Sequence, residues 1–234
     1  MTRETYRDRR DAGRVLATRL TRYAGRLDVL ILALPRGGVP VAYEVARALH
    51  APLDVFLVRK LGAPGQPELA FGAIATGGVR LLNANVVEGL GIAPEVVEAI
   101  TAEESEELRR REREYRGSRP APDVRGRTVI LIDDGLATGA SMRAAVAALR
   151  RGGPGRVVVA VPVAARSTRD DFGRDVDEMV CARTPEPFHA VGLWYRDFSQ
   201  TTDEEVCDLL RRAAEDPGPS DRGRREGEGE VRHE

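Results

Sequence analysis

The chain has 234 residues, 42% hydrophobic and 31% charged, with a formal net charge of −1. Those proportions suit one globular α/β domain, with or without a small appendage. The near-zero charge removes any global attraction to nucleic acid. No apolar run approaches the roughly 20 residues of a membrane span, and MTRETYRDRRDAG lacks the apolar segment of a signal peptide, so the expected location is the cytoplasm.

Residues 6–23 read as a helix, with Val15, Leu16, Leu20 and Tyr23 at helical spacing. The apolar run DVLILAL at 28–34 predicts a strand buried on both faces. PRGG at 35–38 follows, and then a helix carrying Val41, Ala42, Val45, Ala46 and Leu49 on one stripe. Residues 53–58 give the next strand, and strand–loop–helix–strand order implies a parallel sheet with crossover helices. FGAIA and VRLLN predict a hairpin inside the Gly-rich stretch 61–85, and 94–116 a long polar helix whose acids precede its arginines. That alternation of sign marks a solvated face and offers little to a phosphate backbone. Further strands are expected at 128–134, 156–163, 177–182 and 189–195, with helices at 141–151 and 202–212. The Gly, Pro and charge content of 215–234 predicts a disordered tail after a single domain at 1–214, which holds an insert at 61–123. Cys181 and Cys207 form no CxxC, and His50, His189 and His233 are too scattered to share a metal.

The stretch VILIDDGLATGAS at 129–141 carries the chemistry. In a parallel sheet, ligands gather at the carboxyl ends of the strands, which is where Asp133 and Asp134 fall. The segment Gly135, Leu136, Ala137, Thr138, Gly139, Ala140 and Ser141 then enters a helix, whose N-terminal N–H groups attract phosphate. The spacing is not that of a nucleoside-triphosphate P-loop. Two carboxylates repel a bare phosphate but accept hydrogen bonds from hydroxyls or hold Mg²⁺. A phosphorylated sugar satisfies both halves of the motif.

At these residues the chain resembles the type I phosphoribosyltransferases, and DDGLATGAS is most similar to the loop of the adenine enzymes. The resemblance implies an α/β fold with a parallel-sheet core, helices on both faces and a small hood. It also implies a transferase that moves the 5-phosphoribosyl group of 5-phosphoribosyl-1-pyrophosphate (PRPP) to a nitrogenous base with Mg²⁺ as cofactor. PRGG looks like the pyrophosphate loop, with Arg36, Gly37 and Gly38 facing the anion. VRK at 58–60 resembles a segment leading into a mobile catalytic loop. It places Arg59 and the chain's single lysine, Lys60, at the pyrophosphate beside the catalytic Asp133 and Asp134. Glu68 is a candidate acid or base in that loop. FHAVGLWYRDF at 188–198 is similar to the hood of purine enzymes, which makes Phe188 or Trp194 the base-stacking aromatic. With one residue skipped, Asp197 becomes a metal site through magnesium pyrophosphate. The expected partners are small molecules, not nucleic acid or membrane, and a homodimer is left open. Two rivals stand beside this reading. One is a non-catalytic regulator that keeps the site to sense PRPP or nucleotides; the other is a phosphorelay receiver, whose paired acids belong on the first strand instead of far into the chain.

Overall fold

A computed structural model describes residues 5–215, the side chains of Pro67 and Glu68 excepted. The tail expected at 215–234 therefore lies, apart from Glu215, outside the described residues, as does the side chain of Glu68. The core is a five-stranded sheet of β1 (Val29–Ala33), β2 (Leu53–Val55), β6 (Thr128–Ile132), β7 (Arg156–Val163) and β8 (Glu178–Arg183), in the order β2-β1-β6-β7-β8. Every pairing in it is parallel.

The continuous apolar runs are explained by burial on both faces. Val29, Ile31 and Ala33 of β1 pack on the side of α1 (Arg9–Ala17), α2 (Gly38–Leu49), α4 (Pro94–Arg116) and α7 (Asp203–Glu215). Leu30 and Leu32 point the other way, into the cluster built by Met142, Ala145, Val146 and Leu149 of α5 (Ala140–Arg151) and Phe172 of α6 (Arg166–Phe172). Each Val, Leu, Ile, Met or Phe among these contributes roughly 1.5–3 kcal/mol of burial. Asp8 caps α1, its carboxylate accepting the Asp11 N–H at 2.7 Å. A proline in the first turn opens α4.

The remaining strands, β3 (Val58–Ala63), β4 (Gln66–Ala75) and β5 (Val79–Leu82), form a separate antiparallel sheet. The predicted 53–58 strand is thus two: β2 ends at Val55, and Val58 opens β3. Phe56 and Leu57 are buried at the corner between the sheets, so apolar content alone could not mark the change. The β4–β5 hairpin is present, turning through Gly77 and Gly78, whose positive φ of 82° and 75° suits glycine.

The helix expected over 6–23 ends at Ala17, and Thr21–Tyr23 is a separate 3-10 turn. Leu20 and Tyr23 still reach the same core, which is why their spacing looked continuous. The expected strand at 189–195 is instead a 3-10 turn at Val191–Trp194. Val191 and Trp194 of this turn pack in a cluster with Tyr6 and Val163. The short helices α3 (Ala84–Gly89) and α6 were not foreseen.

Candidate active site

Neighbouring strands β1 and β6 run in register, with Ala33 opposite Ile132, so the loops that follow them lie side by side. PRGG and the acid pair are packed closely enough to require both glycines. A Cβ on Gly37 would stand 2.1 Å from Asp134 Oδ2, and one on Gly38 would stand 2.7 Å from the Ile132 carbonyl oxygen. The Pro35–Arg36 peptide in this loop is cis.

Beyond the acids, residues 135–141 line a cleft of 250 Å³ together with Lys60, Asp133 and Val191. Gly139, at φ 74°, precedes α5 without any side-chain cap. The first N–H groups of a 12-residue helix therefore face the cleft without a side-chain acceptor. Thr138 and Ser141 are exposed beside them. A second cavity of 160 Å³ shares Asp133 and Ser141 with the cleft and adds Pro35, Arg59 and Arg111. The structure thus brings Asp133, Lys60, Arg59 and the whole of 135–141 around one space.

The two acids differ electrostatically. Burial, reinforced by the charge of Asp134, raises the Asp133 carboxyl well above the usual carboxylate range. Its Oδ1 accepts the Asp134 backbone N–H at 2.8 Å. Asp134 is also raised by burial, but Arg9 works against that shift. Arg9 Nε donates to Asp134 Oδ2 at 2.8 Å, its Nη1 donates to the Ser199 carbonyl at 2.6 Å, and its guanidinium lies 3.9 Å from the centre of the Phe198 ring. Tyr195 completes the support, donating its hydroxyl to the Asp134 carbonyl at 2.5 Å. Sequence reasoning missed Arg9, Tyr195, Arg111 and Val191. Val191 and Tyr195 fall inside the FHAVGLWYRDF stretch but without an assigned role, while Arg9 is one basic residue among several on an amphipathic helix and Arg111 one among several on α4.

The cations expected at the pyrophosphate are disposed unequally. Arg59 is paired with Glu104 and, at 3.8 Å, with Glu107 of α4. Arg36 stands 3.5 Å from Asp203 at the start of α7. Lys60 is exposed and has no ion-pair partner among the described residues. The hood aromatics lie apart from the cleft. Trp194 is 8% exposed and belongs to a packing cluster with Tyr6 and Tyr195, against which Phe188 is half-buried. Neither lines the cleft with Lys60 and Asp133. Packing against Tyr6 is what draws both inward. Asp197 is exposed, and its carboxyl is held low by the Ser199 N–H, which it accepts at 2.9 Å. Among the described residues no group of three or more His, Cys, Asp or Glu is placed to hold a metal.

The model of the phosphoribosyl transferase domain matches residues 4–188. The chain belongs to the phosphoribosyl transferase family. Among family members, two Mycobacterium tuberculosis proteins, from strains CDC 1551 and H37Rv, each bear the name "Putative phosphoribosyl transferase" and are 49% identical over 209 residues. That match takes in 89% of this chain but 47% of theirs, so the chain spans about half the length of these relatives. The crystal structure of TT1426 from Thermus thermophilus superposes with a TM-score of 0.78 at 44% identity, covering 89% of this chain and 98% of that one. This member of the phosphoribosyl transferase family has the parallel-sheet core expected from its motifs. No helix among the described residues is long and apolar enough to cross a membrane. Ser199 and Tyr195, which support Arg9 and Asp134, lie beyond the matched residues.

Proposed function

We propose that this protein transfers the 5-phosphoribosyl group of PRPP to a nitrogenous base, purine-like in class, and releases pyrophosphate. The observation that carries the reading is the cleft in which a helix N-terminus without a side-chain cap, the half-buried Asp133 and Lys60, which has no ion-pair partner among the described residues, converge. In this reading the backbone of 135–141 holds the 5′-phosphate, with Thr138 and Ser141 as hydroxyl donors. Asp133 and Asp134 accept from the ribose hydroxyls and accommodate positive charge developing on the ring. Lys60, Arg59 and the Arg36–Gly38 loop receive the departing pyrophosphate, an electrostatic role commonly worth a few kcal/mol per group. The donor set does not make a protein-only metal centre, so Mg²⁺ belongs to the proposal as the counter-ion that arrives with PRPP.

A second reading, a non-catalytic PRPP sensor, draws on the protein partners already held by Arg59 and Asp134. One experiment separates the two. The chain is incubated with PRPP, Mg²⁺ and a panel of purine and pyrimidine bases, with pyrophosphate release and melting temperature both followed. A transferase raises its Tm with PRPP and Mg²⁺, because the ligand selects the folded state, and releases pyrophosphate with at least one base. A sensor gives the Tm shift alone. No Tm shift at millimolar PRPP sinks both.

A further inference from the structure

On another face of the chain, two chambers adjoin at Gly77 and Ala121. The first, of 190 Å³, is mainly apolar, with Phe56, Val79, Val124 and Leu149 in its walls. The second, of 290 Å³, is lined by Arg109, Arg113, Arg116 and Arg119. We infer that this bipartite groove is a second ligand site, for a nucleotide whose ring enters the apolar chamber and whose phosphates meet the arginines. It is distinct from the cleft around Lys60 and Asp133 and does not depend on the function proposed there.

Four features support this assignment. Arg109, Arg113 and Arg116 recur at helical spacing and therefore share one face of α4. Arg116 is fixed in place. Its side chain is 3% exposed, and it donates to Asp54 at 2.9 Å, to Glu112 at 3.2 Å and to the Val55 carbonyl. Arg109 and Arg113 are exposed and have no ion-pair partner among the described residues, although the rest of α4 is laced with such pairs. The helix dipole accounts for basic residues in the last turn but not for Arg109, about two turns earlier.

The groove's shape and its acids agree with this ligand. Gly77 and Gly78 turn over the arginine chamber with bare backbone, and a Cβ on either would meet nothing within 4 Å. Asp123 is the one carboxylate lining the apolar chamber. It repels phosphate there and so directs it to the arginines. Glu112, the one acid among the described residues lining the second chamber, is paired with Arg116 at 3.2 Å. The two chambers together reach the scale of a small-molecule site, roughly 300–1,000 Å³. Phe56 also lines the cavity that holds Asp133, so the two sites share one wall.

ADP is the probe, titrated calorimetrically into the full chain carrying Thr138→Glu, which places a negative charge in the phosphate loop and silences the first site. One ADP site is expected to remain. Adding Arg109→Ser and Arg113→Ser should weaken it about tenfold or more, since charge-assisted bonds to phosphate are lost. These exposed, unpaired residues can be replaced without breaking the fold. Val124→Trp should weaken ADP while leaving pyrophosphate unchanged. In the chain with Val124 intact, ADP should bind more tightly than pyrophosphate. ADP affinity indifferent to the arginines, ADP no tighter than pyrophosphate, or no ADP binding at millimolar concentration would each overturn the inference.

Discussion

The carboxyl edge of the parallel sheet serves the cleft mainly with backbone, whereas the antiparallel sheet serves it with side chains. At the parallel edge, Gly37, Gly38 and Gly139 let main chain approach acids, carbonyls and the Phe172 ring at distances that no Cβ would permit. The antiparallel sheet sends Lys60 toward the cleft from β3, a strand whose pairing with β4 shifts register between Leu61 and Ala63. Geometry held by close-packed backbone is pre-organised and intolerant of change. A charge on an exposed strand is adaptable. The difference divides the expected labour, with ribose and phosphate held rigidly and the leaving group met by a cation free to adjust.

The largest effect is expected at the rigid edge. Asp133→Asn should lower turnover by about 10²–10³-fold, the scale of removing one pre-organised electrostatic partner. Pyrophosphate release with an active base measures it, and wild-type turnover would remove Asp133 from the chemistry. Gly38→Ala comes next, with a loss of about 100-fold, since small displacements of a positioning loop are that costly. The forced contact with the Ile132 carbonyl should also cost about 1–3 kcal/mol of stability by denaturant titration. On the adaptable sheet, Lys60→Ala should lower kcat and kcat/KM together by about tenfold, leaving ribose 5-phosphate binding intact. Lys60→Arg should recover part of that loss, because a planar fork does not reproduce a compact point charge. A Lys60→Ala enzyme of full activity would assign the leaving group to Arg36 and Arg59.

The smallest effect is one of pH. The folded-state pKa of Asp133 is raised by burial and by Asp134, so the folded chain binds its proton more tightly than the unfolded chain does. Stability is then lost as pH rises from the ordinary carboxylate value of about 4 through the raised folded value. Asparagine has no such penalty. Asp133→Asn should therefore melt a few degrees above wild type at pH 7, with the gap closing toward pH 4. A gap that widened on acidification would show that the carboxylate stabilises the fold.

What could be read from the sequence divides along the same line. The parallel strands announce themselves, because burial on both faces leaves no polar position in Val29–Ala33 or Thr128–Ile132 beyond the terminal threonine. The α4 boundaries were legible from its opening proline and its acid-to-base polarity. That DDGLATGAS lines a cleft was legible because it joins the end of a buried strand to a helix N-terminus. Contacts made across the chain were not. Arg9 meets Asp134 across a separation of 125 residues, and no local pattern encodes such a partner. The packing of Trp194 was hidden for a related reason: it clusters with Tyr6, 188 residues earlier in the sequence. Phe56 and Leu57 show the remaining limit, since a chain that leaves one core for another keeps the same apolar character.

Tyr6 and Arg7 exchange backbone hydrogen bonds with Trp194, Arg196 and Asp197, and Arg9 reaches Ser199 beside them. During synthesis the first of these segments emerges before any strand of the sheet, and the second only after the last strand. All five strands and both glycine loops therefore precede Tyr195 and Ser199, the late partners of Asp134 and Arg9. A chain ending before residue 194 would lack the Tyr195 hydroxyl and the Ser199 carbonyl that support Asp134 and Arg9, together with the α7 side chains Val206, Leu209 and Leu210 that close the core. The surroundings of Asp134 are thus completed only when residues 6–9 meet residues 194–199.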